Sequence, residues 1–287
     1  MTWDGAPPPA MPRPGPAGWA RALLRGGAMG TVVFGGLAVL LAVRAVERPL
    51  HGMRRPWTPW ITQGVCIAAL AILGLRRAVR GAVMTGTGAV VANHSSWLDI
   101  FVLNASKRVY FVAKAEVSRW PGIGWLARAT GTVFIRRDPR EARAQQAVFE
   151  RRLGASHRLL FFPEGTSTDG RRVLPFKTTL FAAFRSGGLP DDMQVQPVTL
   201  AYHPPEGAPE TFYGWWGDQG FAPHLLAMLS APRHGLVEVI YHAPLTVSRF
   251  ADRKALARAA EASVRAGFAE AFPALEAGAL LRRGTAR

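Results

Sequence analysis

Two apolar stretches near the start of the 287-residue chain restrict its architecture more than any other feature. Met29 to Val43 reads MGTVVFGGLAVLLAV and Trp57 to Leu75 reads WTPWITQGVCIAALAILGL, joined by the basic, proline-containing link RAVERPLHGMRRP. A bilayer-spanning helix needs ~20 apolar residues at ~1.5 Å rise each, so the first stretch is short and the second marginal. Arg21 and Arg25 precede the first, Arg44, Arg48, Arg54 and Arg55 lie between them, and Arg76, Arg77 and Arg80 follow the second. Short basic loops stay on one side of a membrane, so three basic flanks do not fit a simple up-and-down crossing. The expectation is a two-helix membrane element over 17–80 that dips into one leaflet, its arginines on lipid phosphates and Trp57 and Trp60 at headgroup level. The alternative is a pair of helices buried against the rest of the protein. Residues 1–16 hold six prolines and no apolar periodicity, which reads as a disordered tail and not as a secretory signal.

From Gly81 the pattern changes to short β-branched or aromatic runs separated by amphipathic stretches and Gly/Pro turns, the pattern of an α/β domain over 81–287. Expected strands are Ala89–Ala92, Val109–Ala113, Thr132–Arg136, Arg158–Phe162, Val195–Tyr202 and Leu236–Tyr241. Expected helices are Trp97–Asn104, Pro121–Thr130, Pro139–Leu153, Lys177–Arg185 and Arg249–Phe272, the last with Leu256, Ala260, Val264 and Phe268 at helical spacing. The aromatic-rich segment Tyr213 to Leu229 reads either as a core insertion or as a lipid-facing lip. Pro197, within MQVQPVTLAY, suggests an edge strand or a bulge.

A net charge of +16 favours contact with something anionic, be it phospholipid, a phosphorylated metabolite or nucleic acid. The arginines are spread along the chain and no zinc-finger or RNP-type motif accompanies them, which argues against a nucleic-acid partner. A basic membrane or nucleic-acid binder without catalysis is the non-enzyme alternative. The single cysteine, Cys66, excludes an internal disulfide, and no metal-ligand spacing is present. The absence of a G-x-S-x-G elbow weighs against a serine lipid hydrolase.

The chemistry concentrates in VVANHSSWLDIFVL, where a buried-looking strand ends at Asn93, His94 follows, and Asp99 comes five residues later. Five helical residues turn ~140° away from facing, so the pair can meet only with His94 in the turn and Asp99 in the first helical turn. Asp99 would then fix the imidazole tautomer and leave the other ring nitrogen as a general base. The alternative is a histidine that caps a helix or packs in the core. Three further segments bear on this choice. GTVFIRRD brings Arg136 and Arg137 to a strand end, where alternation aims only one of them into a shared site. LLFFPEGTSTDG ends a hydrophobic strand in a turn whose exposed N–H groups can receive an anion. The fourth segment is the proline strand VQPVTL.

In this order the four segments, over roughly 85–245, resemble the PlsC-like glycerolipid acyltransferase family, through HSSWLD, FIRR, FPEGT and VQPVTL. The resemblance implies a mixed sheet flanked by helices, preceded by a two-helix membrane element. It implies that His94, oriented by Asp99, deprotonates a lysolipid hydroxyl that attacks an acyl thioester, from acyl-CoA or acyl carrier protein. A thiol with a pKa near ~8.5 departs without a strong acid, so one base is sufficient. Ser95 and Ser96 are then helix-start residues and not nucleophiles. Glu164, Gly165 and Thr166 are implied to bind and position the acceptor, and Arg137 and Lys114 to neutralise its phosphate. No metal or cofactor is implied. The partners are the acyl donor, the lysolipid acceptor and membrane phospholipid, at the cytoplasmic face of the inner membrane. The acceptor implied first is 1-acyl-sn-glycerol-3-phosphate, giving phosphatidic acid. Members making that product carry arginine after E-G-T, whereas this chain has Ser167, so a lyso-ornithine lipid is the alternative acceptor. Arg171, Arg172 or Lys177 could replace the missing cation.

Overall fold

The computed structural model describes residues 5–86, 88–136, 142–185, 189–190 and 192–273. The chain enters helix α1 (Pro16–His51) at a proline in the first helical turn, where its missing N–H costs nothing. At 36 residues, α1 runs far beyond the apolar stretch expected from sequence, because its basic flanks have partners that keep them helical. Arg21 Nε donates to the Ser230 carbonyl at 2.9 Å, and Arg25 Nη1 donates to Leu229 and Ala231 at 3.2 and 2.6 Å. These carbonyls close the C-terminus of helix α6 (Phe221–Ser230), where unpaired C=O groups and the helix dipole both favour a cation. The expectation that Arg21 and Arg25 rest on lipid phosphates is therefore corrected.

Helix α2 (Thr58–Leu73) starts where the buried Glu47 of α1 accepts from the backbone N–H groups of Trp57 and Thr58, at 2.7 and 3.0 Å. The two helices touch at Gly36, where an added Cβ would lie 2.3 Å from a Val65 methyl carbon. Among the described residues, one helix, α1, is long and apolar enough to cross a bilayer, where the sequence suggested two comparable elements. With only 16 residues, α2 turns Cys66, Ala69, Leu70 and Leu73 into the core of the α/β body.

Among the described residues the body is an eight-stranded sheet: β1 (Arg76–Arg80), β2 (Gly88–Ala92), β3 (Tyr110–Lys114), β4 (Val133–Ile135), β5 (Leu159–Phe161), β6 (Gln194–His203), β7 (Leu236–Tyr241) and β8 (Leu245–Thr246). The spatial order is β1-β7-β6-β2-β5-β3-β4, with β8 on β6. Strands β6, β2, β5, β3 and β4 are mutually parallel, while β7 runs against β6. β1 and β8 were not foreseen, and β1 lies on the N-terminal side of residue 81.

Alternation along β2 sends Val90 and Ala92 to one face and Ala89 and Val91 to the other. The first face packs under α2, α6 and helix α3 (Leu98–Ser106). The second packs under helices α5 (Ala142–Gly154) and α7 (Arg253–Ala271), the latter through the foreseen Leu256, Ala260, Val264 and Phe268. Helix α4 (Ile123–Thr130) links β3 to β4. The segment Tyr213 to Leu229 is a core insertion at Tyr213, Trp216, Met228 and Leu229, all buried.

Pro197 lies in an interior strand and not at an edge. Its carbonyl accepts from His242 N–H at 3.0 Å, which aims the prolyl nitrogen at the gap between the β7 and β8 pairings. There the Gln196 side-chain amide donates to the His242 carbonyl at 2.9 Å, supplying the bond that proline cannot.

Candidate active site

Because β2, β5, β3 and β4 are parallel and adjacent, their carboxyl ends share one edge of the sheet, where open α/β folds bind ligands. His94 follows β2, Glu164 to Thr166 follow β5, Lys114 ends β3, and Arg136 follows β4. Arg137 lies outside the described residues. The sheet thus brings the expected base, turn and cations to one edge in that spatial order.

His94 sits in the loop and Asp99 is the second residue of α3, so the two converge as the motif spacing requires. His94 Nδ1 lies 2.7 Å from Asp99 Oδ2. That oxygen also accepts from the backbone N–H of Ser95 and Ser96 at 2.8 and 3.1 Å. The other carboxylate oxygen accepts from the Tyr202 hydroxyl at 2.6 Å. A buried carboxylate already fed by three other donors is an acceptor, so the histidine proton belongs on Nδ1 and the Nε2 lone pair remains to take a proton. Burial and the adjoining Asp99 push the Tyr202 phenol well above its ordinary range, which keeps it a donor.

The backbone of His94 is held as firmly as its ring. Its N–H donates to Glu164 Oε1 at 2.6 Å, and its carbonyl accepts from Thr168 N–H at 2.9 Å and from the Thr168 hydroxyl at 3.1 Å. The imidazole stacks on Phe162, with centroids 4.0 Å apart and planes 10° from parallel. Asn93 ties the end of β2 to β6, its amide exchanging two 2.8 Å bonds with the backbone of Leu200. The His94 side chain keeps 19% of its surface exposed, whereas Asp99 keeps none.

Glu164 does something other than what the resemblance implied. Its second oxygen accepts from Leu174 N–H at 2.7 Å, so both oxygens are engaged by backbone donors inside the protein. Burial pushes its carboxyl up to about 8, against the downward pull of the Leu174 and His94 N–H groups. It acts as a clamp between the His94 loop and the segment after the turn. Gly165 has φ of 72°, a left-handed conformation that glycine adopts without strain and that bends the chain beside the base. Thr166 and Lys114 stand on the same edge.

Ser96 Oγ accepts from Leu98 N–H at 3.3 Å, a helix-start contact, and Ser95 Oγ is buried. The cations following E-G-T are engaged elsewhere. Arg171 pairs with Glu210 at 3.1 Å and lies 4.6 Å over the Phe272 ring, and Arg172 pairs with Asp169 at 2.8 Å. His203, His224, His234 and His242 each bond to a neighbouring side chain, consistent with structural roles.

Sequence reasoning missed the roles of Tyr202, Phe162 and Trp215, whose backbone N–H donates to the Ser95 carbonyl at 2.8 Å. A signal for Tyr202 existed in its strand: it alternates with Val198 and Leu200 toward the face that carries α3. Phe162 opens the FPEGT motif and Trp215 lies in the aromatic-rich segment after Tyr213, but neither signal says what they contact.

Residues 77–201 match the family described as Acyltransferase. A lyso-ornithine lipid O-acyltransferase of Rhodobacter capsulatus is 62% identical over 268 residues, covering 93% of this chain and 97% of that protein. A 1-acyl-sn-glycerol-3-phosphate acyltransferase of Neisseria gonorrhoeae is 33% identical over 63% of this chain and 69% of its own. The crystal structure of PlsC from Thermotoga maritima superposes with a TM-score of 0.61 at 22% identity, covering 88% of this chain and 97% of that one.

Proposed function

The chain belongs to the PlsC-like glycerolipid acyltransferases, and from that membership we propose that it O-acylates a lyso-ornithine lipid at the membrane surface. The observation that carries this acceptor is the 62% identity, along almost its whole length, to a relative with that name. It replaces lysophosphatidate, the acceptor put first from the sequence. The site supports the choice: Ser167 stands where phosphatidate-forming members place arginine, and Arg171 and Arg172 are already paired with Glu210 and Asp169. A phosphate would lack a bidentate partner worth about 1.5–3 kcal/mol. An ornithine headgroup offers a carboxylate and an ammonium instead, which ask less of that position.

In the proposed reaction, His94 Nε2 takes the proton of the acceptor hydroxyl as its oxygen attacks the thioester carbonyl. The C–S bond then breaks, the thiolate departs and an ester remains. Asp99 holds the imidazole and offsets the charge it gains, so no covalent acyl-enzyme is required. Lys114 and Arg136 lie on the edge where an acceptor carboxylate would be received.

The test is an acceptor panel with purified protein and one acyl-CoA. Lyso-ornithine lipid should be acylated well above lysophosphatidate, and His94→Ala should abolish transfer to both. Preference for lysophosphatidate would overturn the acceptor, and full turnover by His94→Ala would overturn the mechanism.

A further inference from the structure

We propose that α4 and the turn before it form a second membrane-docking surface, which seats the carboxyl edge of the sheet on an anionic bilayer beside α1. The proposal rests on the lipid-acyltransferase reading. Trp125 of α4 is 62% exposed and Trp120 is 39% exposed, large apolar exposures that the packing of the body does not explain. Arg119, exposed, precedes them, Arg128 donates to the Ser118 carbonyl and so closes the turn onto α4, and no acidic residue occurs between Ser118 and Thr130. Tryptophan beside arginine is the pairing that settles at headgroup level, the ring in the acyl boundary and the guanidinium on phosphate.

Position relative to α1 selects a lipid surface as the occupant. The N-terminal end of α4 lies at Phe34, whose ring carbon would be 3.9 Å from a Cβ on Gly122. Its other end is fixed where Arg55 Nη1 donates to the Ala129 carbonyl at 2.7 Å. Helix α4 therefore runs beside the second half of α1, where Phe34, Val39, Leu41, Val46 and Leu50 are each at least half exposed. These residues lie on opposite sides of α1, so a bilayer that surrounds this half of the helix also meets Trp125 on the adjoining helix. The surface also connects to the site: Trp120 meets the edge of Trp215 at 6.2 Å, and Trp215 is bonded to Ser95, next to His94.

The experiment compares full-length wild type with Trp125→Ser and Arg119→Gln on two acceptor presentations, a long-chain lysolipid in vesicles with or without phosphatidylglycerol and a short-chain lysolipid dissolved as monomer. Trp125→Ser should lose about tenfold in kcat/KM on vesicles with the rate on the monomer unchanged. Arg119→Gln should reduce the preference for anionic vesicles. Equal loss on both presentations, no loss on vesicles, or a change in sedimentation mass pointing to a second copy would each overturn the proposal. Quenching of tryptophan fluorescence by brominated lipid, smaller in Trp125→Phe than in wild type, needs no turnover. It tests docking even where the acceptor assignment fails.

Discussion

Asp99→Asn tests the arrangement around the base most directly, because the surrounding donors dictate how the amide must sit. The position of Oδ2 faces two backbone N–H groups, from Ser95 and Ser96, and so must be taken by the amide oxygen. The amide NH₂ then faces Tyr202, whose hydroxyl can turn to accept. His94 Nδ1–H still finds an oxygen at the 2.7 Å position, so the tautomer survives. In serine-hydrolase triads the same substitution inverts the tautomer and costs about 10⁴ in rate. Here only the charge is lost. A unit charge ~4 Å from the imidazolium at an effective dielectric of ~20 contributes about 4 kcal/mol, and the weaker neutral hydrogen bond retains part of it. The expected loss in kcat is therefore about 2–4 kcal/mol, or roughly 30- to 1,000-fold. It is read by release of free thiol from acyl-CoA at saturating acceptor. Less than threefold loss would show that the carboxylate does not support the base. Loss as complete as in His94→Ala would show that the amide cannot hold the tautomer, contrary to the donor geometry.

Tyr202→Phe removes one charge-assisted bond from a buried carboxylate and should lower stability to thermal unfolding by about 1.5–3 kcal/mol. It should lower kcat by about tenfold with KM for the acceptor unchanged, since Tyr202 touches Asp99 and not substrate; a KM effect alone would refute this role. The Glu164 carboxyl, raised by burial from its ordinary 4.5 to about 8, binds a proton more tightly folded than unfolded. That stabilisation is complete below the unfolded value and is lost as pH rises through the folded one, on the order of 5 kcal/mol at most. The melting temperature should fall between about pH 5 and 8, and Glu164→Gln should flatten that slope.

The parts of the site legible in the sequence were those in which a motif crosses one strand–helix junction. His94 and Asp99 meet because the strand-ending Ala92 and the helix-starting Leu98 fix both within a few residues. Parts depending on distant chain were not legible. Tyr202 reaches Asp99 across 103 positions, and only the β2–β6 pairing makes them neighbours. Glu164 is assigned to the acceptor by the resemblance alone; its burial follows from the Leu174 segment folding back over it. β1 escaped because RRAVR shows no apolar alternation, yet it pairs with β7 along its whole length. The extent of α1 escaped because its arginines read as lipid contacts, when the carbonyls they satisfy lie more than 200 residues away.

The spatial order along the sheet edge limits how an acceptor can lie. His94 follows β2 and Lys114 ends β3, with β5 between them, so the two strand ends are two spacings, about 10 Å, apart. An acceptor whose hydroxyl meets Nε2 while its anionic group approaches Lys114 must cross the end of β5, over the turn at Gly165. A side chain there would occupy that path, and the left-handed φ of 72° disfavours any residue but glycine on independent grounds. With Glu164 turned inward to hold His94, this turn offers the acceptor backbone and the Thr166 hydroxyl, and no negative charge. An anionic headgroup leaving the base can therefore cross the end of β5 without meeting the Glu164 carboxylate. The clamp that orients the base is also what keeps the acceptor's path open to it.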